Sequence, residues 1–554
     1  MSASAPGRRA PVAAAFAAAL AFLPTVAHGF VYDDHRFLEA NDALTRPSVL
    51  WRAFLDPSVQ TADGTHAGLW RPLRTLSFAL DRLLFGKEAW GPHLENVLLH
   101  GVATGLVAAL LGRLGAGPRA SFAGALVFAL HPVQVECVAW VSSRGDLLAL
   151  VGVLGALLLA LRDAPRLAAA CGACALLAKE QAVVWPALVV ATWLAAGRRL
   201  RAGLRAALVP AIVVAAFVAV RHALLSEPFQ EGGLPQGGPG GGELLRMLGV
   251  QTWTALLPVD PLFDWQMPEA VRPLGGPLLL AFAALPFVAL PRRATRPAAL
   301  WFLAALVPTL FVQVLVPLNI RVADRFLLFA LPALALLVAR AVERSSRVLA
   351  PTALAVLALA GTTLVSAQRW ASDRTLWTDT LDRSPGHWRA VAWLGGDALV
   401  SGDARSAVSF LTMAKHAAPS DAKTRFQLAL ALQARAQQVQ SPNVSGDDAH
   451  VFLQRARDEY AAALVLYGSG RQEGGARFRP LALVGALDIT VVIDPPETAR
   501  AALEGLLGKP RDVEGFSDPT VRAAFEVLLR HVAELLDPNL SQPLAPRLRE
   551  WGGL

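Results

Sequence analysis

Up to about residue 370 the chain alternates apolar runs with short charged clusters, and most runs are close to the length of a bilayer crossing. The first, Pro11 to Gly29, is roughly 19 residues long, enough for a hydrocarbon core of roughly 30 Å at about 1.5 Å per residue. Arg8-Arg9 ahead of it has the look of a signal segment. Ala27-His28-Gly29 is a poor small-x-small cleavage site, however, so a retained anchor is expected. Further crossings are expected at Leu94–Leu111, 121–134, Leu147–Leu161, Arg166–Leu177, Ala182–Ala196, Leu204–Leu225, 275–290, 298–316, 323–340 and 348–367. Glu243–Leu257 is short for a span. Inserting it would also put Arg292, Arg293 and Arg296 on the wrong side, so it reads as an interfacial or re-entrant helix. With the basic clusters inside, the tally is about eleven spans, amino terminus inside and carboxyl terminus outside.

Between the first two crossings, residues 28–93 form an outer loop. It carries Trp51, the Trp70-Arg71-Pro72-Leu73-Arg74 run and an amphipathic stretch, Leu76 to Phe85, that suits a membrane interface. Glu227–Gly242, rich in Gly and Pro, reads as a connection rather than a core element. Beyond Gln368 the hydropathy falls. Trp388, Leu394-Gly395, Ala407, Ala414 and Pro419 keep the phase of a helix-turn-helix repeat of roughly 34 residues, the tetratricopeptide type. A second, interrupted unit starts near Ala422, its helices parted by an inserted Gln440–Asp448 loop, and the tail from Arg477 keeps helical periodicity suited to a cap. The expected fold is therefore all-α: a polytopic membrane helical bundle over residues 1–370, then a soluble tetratricopeptide-like solenoid over 371–554.

Composition sharpens this picture. Of 554 residues, 54% are hydrophobic and 17% charged, and mean hydropathy is +0.44, a level soluble domains rarely reach. The formal charge of +8 could suggest nucleic acid, but the arginines lie in clusters between apolar runs, where they report orientation. Three cysteines make no disulfide framework, and Cys171-Gly172-Ala173-Cys174, inside an apolar helix, reads as a small-residue packing face.

Candidate chemistry collects on one side of this topology. Asp33-Asp34 follows the first span, and His131 with Glu136, Arg144 with Asp146, Lys179-Glu180, and Arg321, Asp324 and Arg325 flank others that end on the same side. A charge near the bilayer costs roughly 2.5 to 3.5 kcal/mol on insertion scales, so several at one depth point to a polar cavity. Such a cavity suits an anionic lipid-linked substrate, since arginines take phosphate bidentately and carboxylates take a hydroxyl proton. Each group also has a plainer reading. The Asp pair can simply face water, Arg144 and Asp146 can form an interfacial ion pair, Arg321 and Arg325 can snorkel, Lys179-Glu180 can be a solvated helix end, and His131-Pro132 can end a helix. Asn96 and His100, four apart on one helical face, suit an interhelical hydrogen bond better than a metal. The polar groups lie at one face and not at mid-span, which argues against a transporter or flippase.

Seven stretches occur in an order that resembles a known family: Phe30-Val31-Tyr32-Asp33-Asp34, Trp70-Arg71-Pro72-Leu73, His93-Leu94-Glu95-Asn96-Val97-Leu98-Leu99-His100, His131-Pro132-Val133-Gln134-Val135-Glu136, Ser143-Arg144-Gly145-Asp146-Leu147-Leu148, Ala178-Lys179-Glu180-Gln181 and Ala323-Asp324-Arg325-Phe326. They look like the transmembrane-and-tetratricopeptide-repeat protein O-mannosyltransferases and their bacterial relatives, within the GT-C glycosyltransferases. The resemblance covers about residues 11 to 421. It implies an inverting enzyme that takes a sugar, mannose in the family, from a polyprenyl-phosphate carrier at the outer face and places it on an acceptor hydroxyl of protein or glycan. Asp33 or Asp34 would be the general base, with the other orienting acceptor or a divalent metal, and Glu136 would support the step. Arg321 and Arg325, with Lys179 and Arg144, would hold the donor phosphate, and His131, Glu180 and Asp324 would lie in support. The Ala/Leu/Arg-rich composition and the absence of a eukaryotic retention tail suggest a bacterial protein of the inner membrane with an undecaprenyl-type carrier and a periplasmic repeat domain. The competing expectation is a membrane-anchored scaffold whose repeats bind a partner without chemistry.

Overall fold

Helix-forming Ala and Leu fill the apolar runs, and the chain is helical wherever they occur. The computed structural model describes residues 9–62, 64, 68–225, 239–258, 276–315, 320–439, 446–468, 475–507, 519–536 and 538–552, and these contain no β-strand. Most of Glu227–Gly242, most of the Gln440–Asp448 insertion and Asn319 lie outside them. Five helical segments are long and apolar enough to cross a membrane: Arg9–Ala27, Trp90–Arg113, Val141–Ala160, Leu200–Leu224 and Ser346–Gln368. Shorter apolar helices cover Pro165–Ala178, Glu180–Ala195, Gly276–Ala289 and Arg296–Phe311. Small residues allow close packing among them. A Cβ on Gly101 would come within 3.0 Å of the Ala15 carbonyl, and one on Gly105 within 3.3 Å of the Pro11 carbonyl, so this glycine pair seats the first helix directly on the second. Gly172 does the same for Trp185, and all three cysteines are free, in keeping with a packing role for the Cys171–Cys174 stretch.

Two expected spans begin or end elsewhere. The helix expected over 121–134 stops at Ala129, and a short helix, Gln134–Ala139, follows the break at His131-Pro132. The helix expected from 323 starts only at Leu331, behind a 3-10 turn over Asp324–Leu327. Tertiary partners hold that strand of chain open: Gln251 Nε2 donates to the Ala323 carbonyl at 3.3 Å, Gln181 Nε2 to the Phe326 carbonyl at 3.3 Å, and Glu136 accepts from the Arg325 amide at 2.8 Å. Gly241–Leu256, expected at the interface, is a helix with Met247–Thr252 buried, packed on Gly276–Ala289.

The outer loop has its own apolar core, where Phe30, Phe37, Leu38, Leu44 and Val49 meet Phe78 and Val141. Asn41, fully buried, donates to the Val59 carbonyl at 3.0 Å and accepts from the Ala43 amide at 3.2 Å. Gln60 bridges the Leu69 carbonyl (2.7 Å) and the Arg71 amide (3.1 Å), which leads the chain into the Pro72–Phe85 helix.

Internal packing divides the chain into two units, the first reaching Asp379 and the second comprising Thr380–Leu554. The second is a succession of helices, Trp388–Val400, Ala404–Ala417, Ala422–Val439, Gly446–Gly468 and Gly475–Ile493, each packed on the next. Gly395 fits that succession because a Cβ there would lie 2.6 Å from Leu411 Cγ on the neighbouring helix.

Candidate active site at the first loop

The Asp pair sits in a tight turn in which the Asp34 amide donates to the Val31 carbonyl at 3.0 Å and Tyr32 takes a left-handed φ of +52°. A non-glycine residue there is costly and persists only where neighbours fix it. Asp373 supplies part of the hold: its Oδ1 accepts from the Tyr32 amide at 2.7 Å and its Oδ2 meets His35 Nε2 at 2.8 Å. The Tyr32 ring lies among Trp140 and Trp377, with centroids 5.8 and 5.4 Å away, and Trp370 stacks on Trp140 at 5.9 Å. These contacts explain why residues up to Asp379 belong with the membrane unit and not with the repeats.

The two aspartates differ. Asp34 is fully buried, and both its oxygens are engaged: Oδ1 accepts from the Ser142 amide at 2.7 Å and Oδ2 from the Val31 amide at 3.2 Å. It staples the loop to the turn that precedes the Arg144–Ala160 helix. Asp33 is half-buried, and its backbone carbonyl accepts from the Phe37 amide at 2.9 Å, which starts the next helical turn. Burial pushes the pKa of Asp34 up to about 7, against the pull of the two amides, with the charge of Asp33 adding slightly. An unfolded aspartate titrates near 3.9, so between roughly pH 4 and pH 7 the folded state binds more protons at Asp34 than the unfolded state does. The stability this contributes is fully present below that window and is lost as pH rises through it. Melting temperatures of the full chain in detergent should therefore fall from pH 5 to pH 8, and Asp34→Asn should flatten that fall. An unchanged slope in the variant would remove Asp34 as the cause. His35, held by Asp373 first and Glu39 as well, is raised to about 9 and stays protonated at neutral pH.

Around the turn lie paired charges. Arg325 pairs with Glu136, Lys179 with Asp146, and Arg71 with Glu180 through two hydrogen bonds. The three pairs form one electrostatic group, since Asp146 is felt by Arg71, Lys179 and Arg325. Burial raises Glu136, while Arg325 opposes the shift. Arg325 also lies 5.4 Å from the Trp140 ring centroid, which connects this group to the aromatic residues at Tyr32.

Two of the expected phosphate ligands stand elsewhere. Arg144 is 0% exposed; it pairs with Asp81 and with Glu95 (3.0 Å), and donates to Asn96 Oδ1 (3.0 Å) and the Pro92 carbonyl (2.9 Å). Its donors are spent inside the bundle, which makes it a brace. Arg321 pairs with Glu243 at the start of another helix. His131 has both ring nitrogens in structural bonds, Nε2 to the Ala255 carbonyl (3.2 Å) and Nδ1 from the Val133 amide (3.3 Å). Asp324 is buried at the head of its 3-10 turn. Asn96 and His100 make the interhelical bonds expected of them, Asn96 to the Trp140 carbonyl (3.2 Å) and His100 to the Ala129 carbonyl (3.0 Å). Among the described residues no group of three or more His, Cys, Asp or Glu is gathered to hold a metal ion.

Sequence reasoning missed Asp373, Asp81, Arg71 and Arg74 as parts of this region. Arg71 carried a signal in the Trp70–Leu73 stretch, but Asp373 lies more than 330 positions from its partners, and nothing local marks it.

No family model and no solved structure matches the chain. Among curated proteins, the protein O-mannosyl-transferase Tmtc2 of Drosophila melanogaster is 43% identical over 143 residues, 24% of this chain and 15% of the fly protein. The Xenopus laevis tmtc2 protein is 39% identical over 132 residues, covering 23% and 15%. Human TMTC4 is 37% identical over 136 residues, covering 22% and 18%. The matched stretch thus spans less than a fifth of each of these relatives. Identity of this degree over about a quarter of the chain supports a family relationship with the TMTC O-mannosyl-transferases.

Proposed function

We propose that this chain is a membrane glycosyltransferase that moves a sugar, mannose by analogy with its relatives, from a polyprenyl-phosphate carrier to an acceptor hydroxyl, with Asp33 as general base. The observation that carries this reading is the charge gathered near the Asp pair. The half-buried Asp33 acts on the Arg74 guanidinium together with Glu180 and Asp146, while Asp34 is fully buried under backbone amides. In the step proposed, the Asp33 carboxylate takes the acceptor O–H proton, the oxygen attacks the anomeric carbon from the face opposite the phosphate, and the carbon–oxygen bond to phosphate breaks with inversion. Negative charge then gathers on the departing phosphate and needs preorganised cations. Glu136 acts by holding Arg325, and Asp34 by fixing the turn.

The reading extends to topology. The five long helices and the four shorter apolar ones, with Pro118–Ala129 and Leu331–Arg344, would form a GT-C-type bundle of about eleven spans in an inner membrane, with the first loop outside. The second unit would be a tetratricopeptide-like module on the periplasmic side that binds an acceptor protein through its Ser or Thr-bearing segments, or another partner. Purified full chain incubated with radiolabelled polyprenyl-phosphate mannose and a periplasmic protein extract should transfer label to protein in alkali-labile linkage. Failure of every polyprenyl-phosphate sugar to give any product would favour a non-catalytic scaffold instead.

A further inference from the structure

The cations assigned to phosphate by sequence position already have carboxylates: Arg325 has Glu136, Lys179 has Asp146, Arg321 has Glu243 and Arg144 has Asp81 with Glu95. Arg74 does not. It is 1% exposed, its Nε and Nη2 have no hydrogen-bond partner, and no ion pair forms at it among the described residues. Its guanidinium lies within electrostatic range of Asp33 and also of Arg71, Glu180 and Asp146, so both the Asp pair and the paired charges act on it. The site is shaped to accept this side chain. Its stem runs past Gly145, and the guanidinium sits 4.5 Å from the Phe37 centroid and 5.5 Å from that of Phe78. Aromatic faces favour a cation but accept none of its N–H groups.

An arginine buried with open donors leaves a charge and two N–H groups without compensation, an arrangement that costs stability unless a ligand completes it. Burial first, then Arg71, pushes its pKa down to about 9, so at neutral pH it remains a cation. We infer that Arg74 is the phosphate-binding residue of this site, taking an anionic phosphate oxygen on its open donors beside Asp33. The inference rests on the glycosyltransferase reading only for the identity of the ligand; the open donors call for an oxyanion in either case. In this arrangement Lys179 and Arg325, each paired with a carboxylate, set the local field, while Arg74 makes the direct contact.

Equilibrium binding to the full chain in nanodiscs tests this with three probes: undecaprenyl phosphate, undecaprenol and inorganic phosphate. Undecaprenyl phosphate should bind wild type at least tenfold more tightly than undecaprenol does. Arg74→Met should erase that difference with an unchanged or higher melting temperature, because the variant removes an uncompensated charge. Arg74→Lys should restore part of it. Binding of inorganic phosphate that also depends on Arg74 would place the recognition in the phosphate itself; dependence for the lipid alone would place it in a headgroup anchored by its chain. Equal phosphate preference in wild type and Arg74→Met overturns the inference, and should Arg74→Met fail to fold, an Arg74→Lys variant with no phosphate preference and a wild-type melting profile does the same. Because binding is read without turnover, absence of sugar transfer by the wild type alongside Arg74-dependent phosphate binding would count against the proposed function only, whereas transfer and binding untouched by Arg74→Met would count against Arg74 only.

Discussion

Asp33→Asn should lower sugar transfer by about 10²- to 10⁴-fold, the range that a positioned general base contributes. Asparagine has the same shape, and the bonds of Asp34 and Asp373 that fix the turn remain, so the variant should still fold and bind the carrier lipid. The loss should fall on kcat and not on KM, because proton removal belongs to the transition state. Asp34→Asn should behave differently. An amide in place of that carboxylate turns one acceptor into a donor facing the Ser142 or Val31 amide, so the loop loosens and activity falls together with stability. A radiolabel transfer assay with melting curves on both variants separates these roles. Wild-type turnover by Asp33→Asn would exclude Asp33 as the base.

The second large effect is on folding. Arg144→Met leaves Asp81, 1% exposed, as a buried carboxylate without its guanidinium, and deprives Asn96 Oδ1 and the Pro92 carbonyl of a donor. Removing one partner of a buried pair costs about 3 to 5 kcal/mol, so this variant should aggregate or melt far below wild type in detergent. Adding Asp81→Asn should recover part of the loss, since Glu95 is 27% exposed at its side chain and can be hydrated in place of its partner. A variant Arg144→Met that folds normally and loses only affinity for the phosphate carrier would return Arg144 to the donor site.

The pattern of this chain reveals its helices because helix formation and membrane length are local properties, readable from runs of Ala, Leu and Val and from the arginines between them. The runs at 275–290, 298–316 and 348–367 correspond to helices at Gly276–Ala289, Arg296–Leu315 and Leu349–Gln368. At Ala129 the nearby His131-Pro132 ended the helix, but at Leu331 the cause was distant: side chains of Gln251, Gln181 and Glu136 hold residues 323–326 out of helical geometry. The site follows the same rule. Residue type and order mark the candidate acids and bases, but charge pairing is decided in three dimensions, by which carboxylate each cation reaches. Nothing in Trp70-Arg71-Pro72-Leu73-Arg74 distinguishes the arginine that meets Glu180 from the one with open donors, nor in Asp33-Asp34 the fully buried carboxylate from the half-buried one. Those distinctions arise only when segments remote in sequence, residues 30–85, 136–146, 179–180, 323–326 and 370–377, pack together. Burial then makes every unmatched charge costly enough to determine its partner.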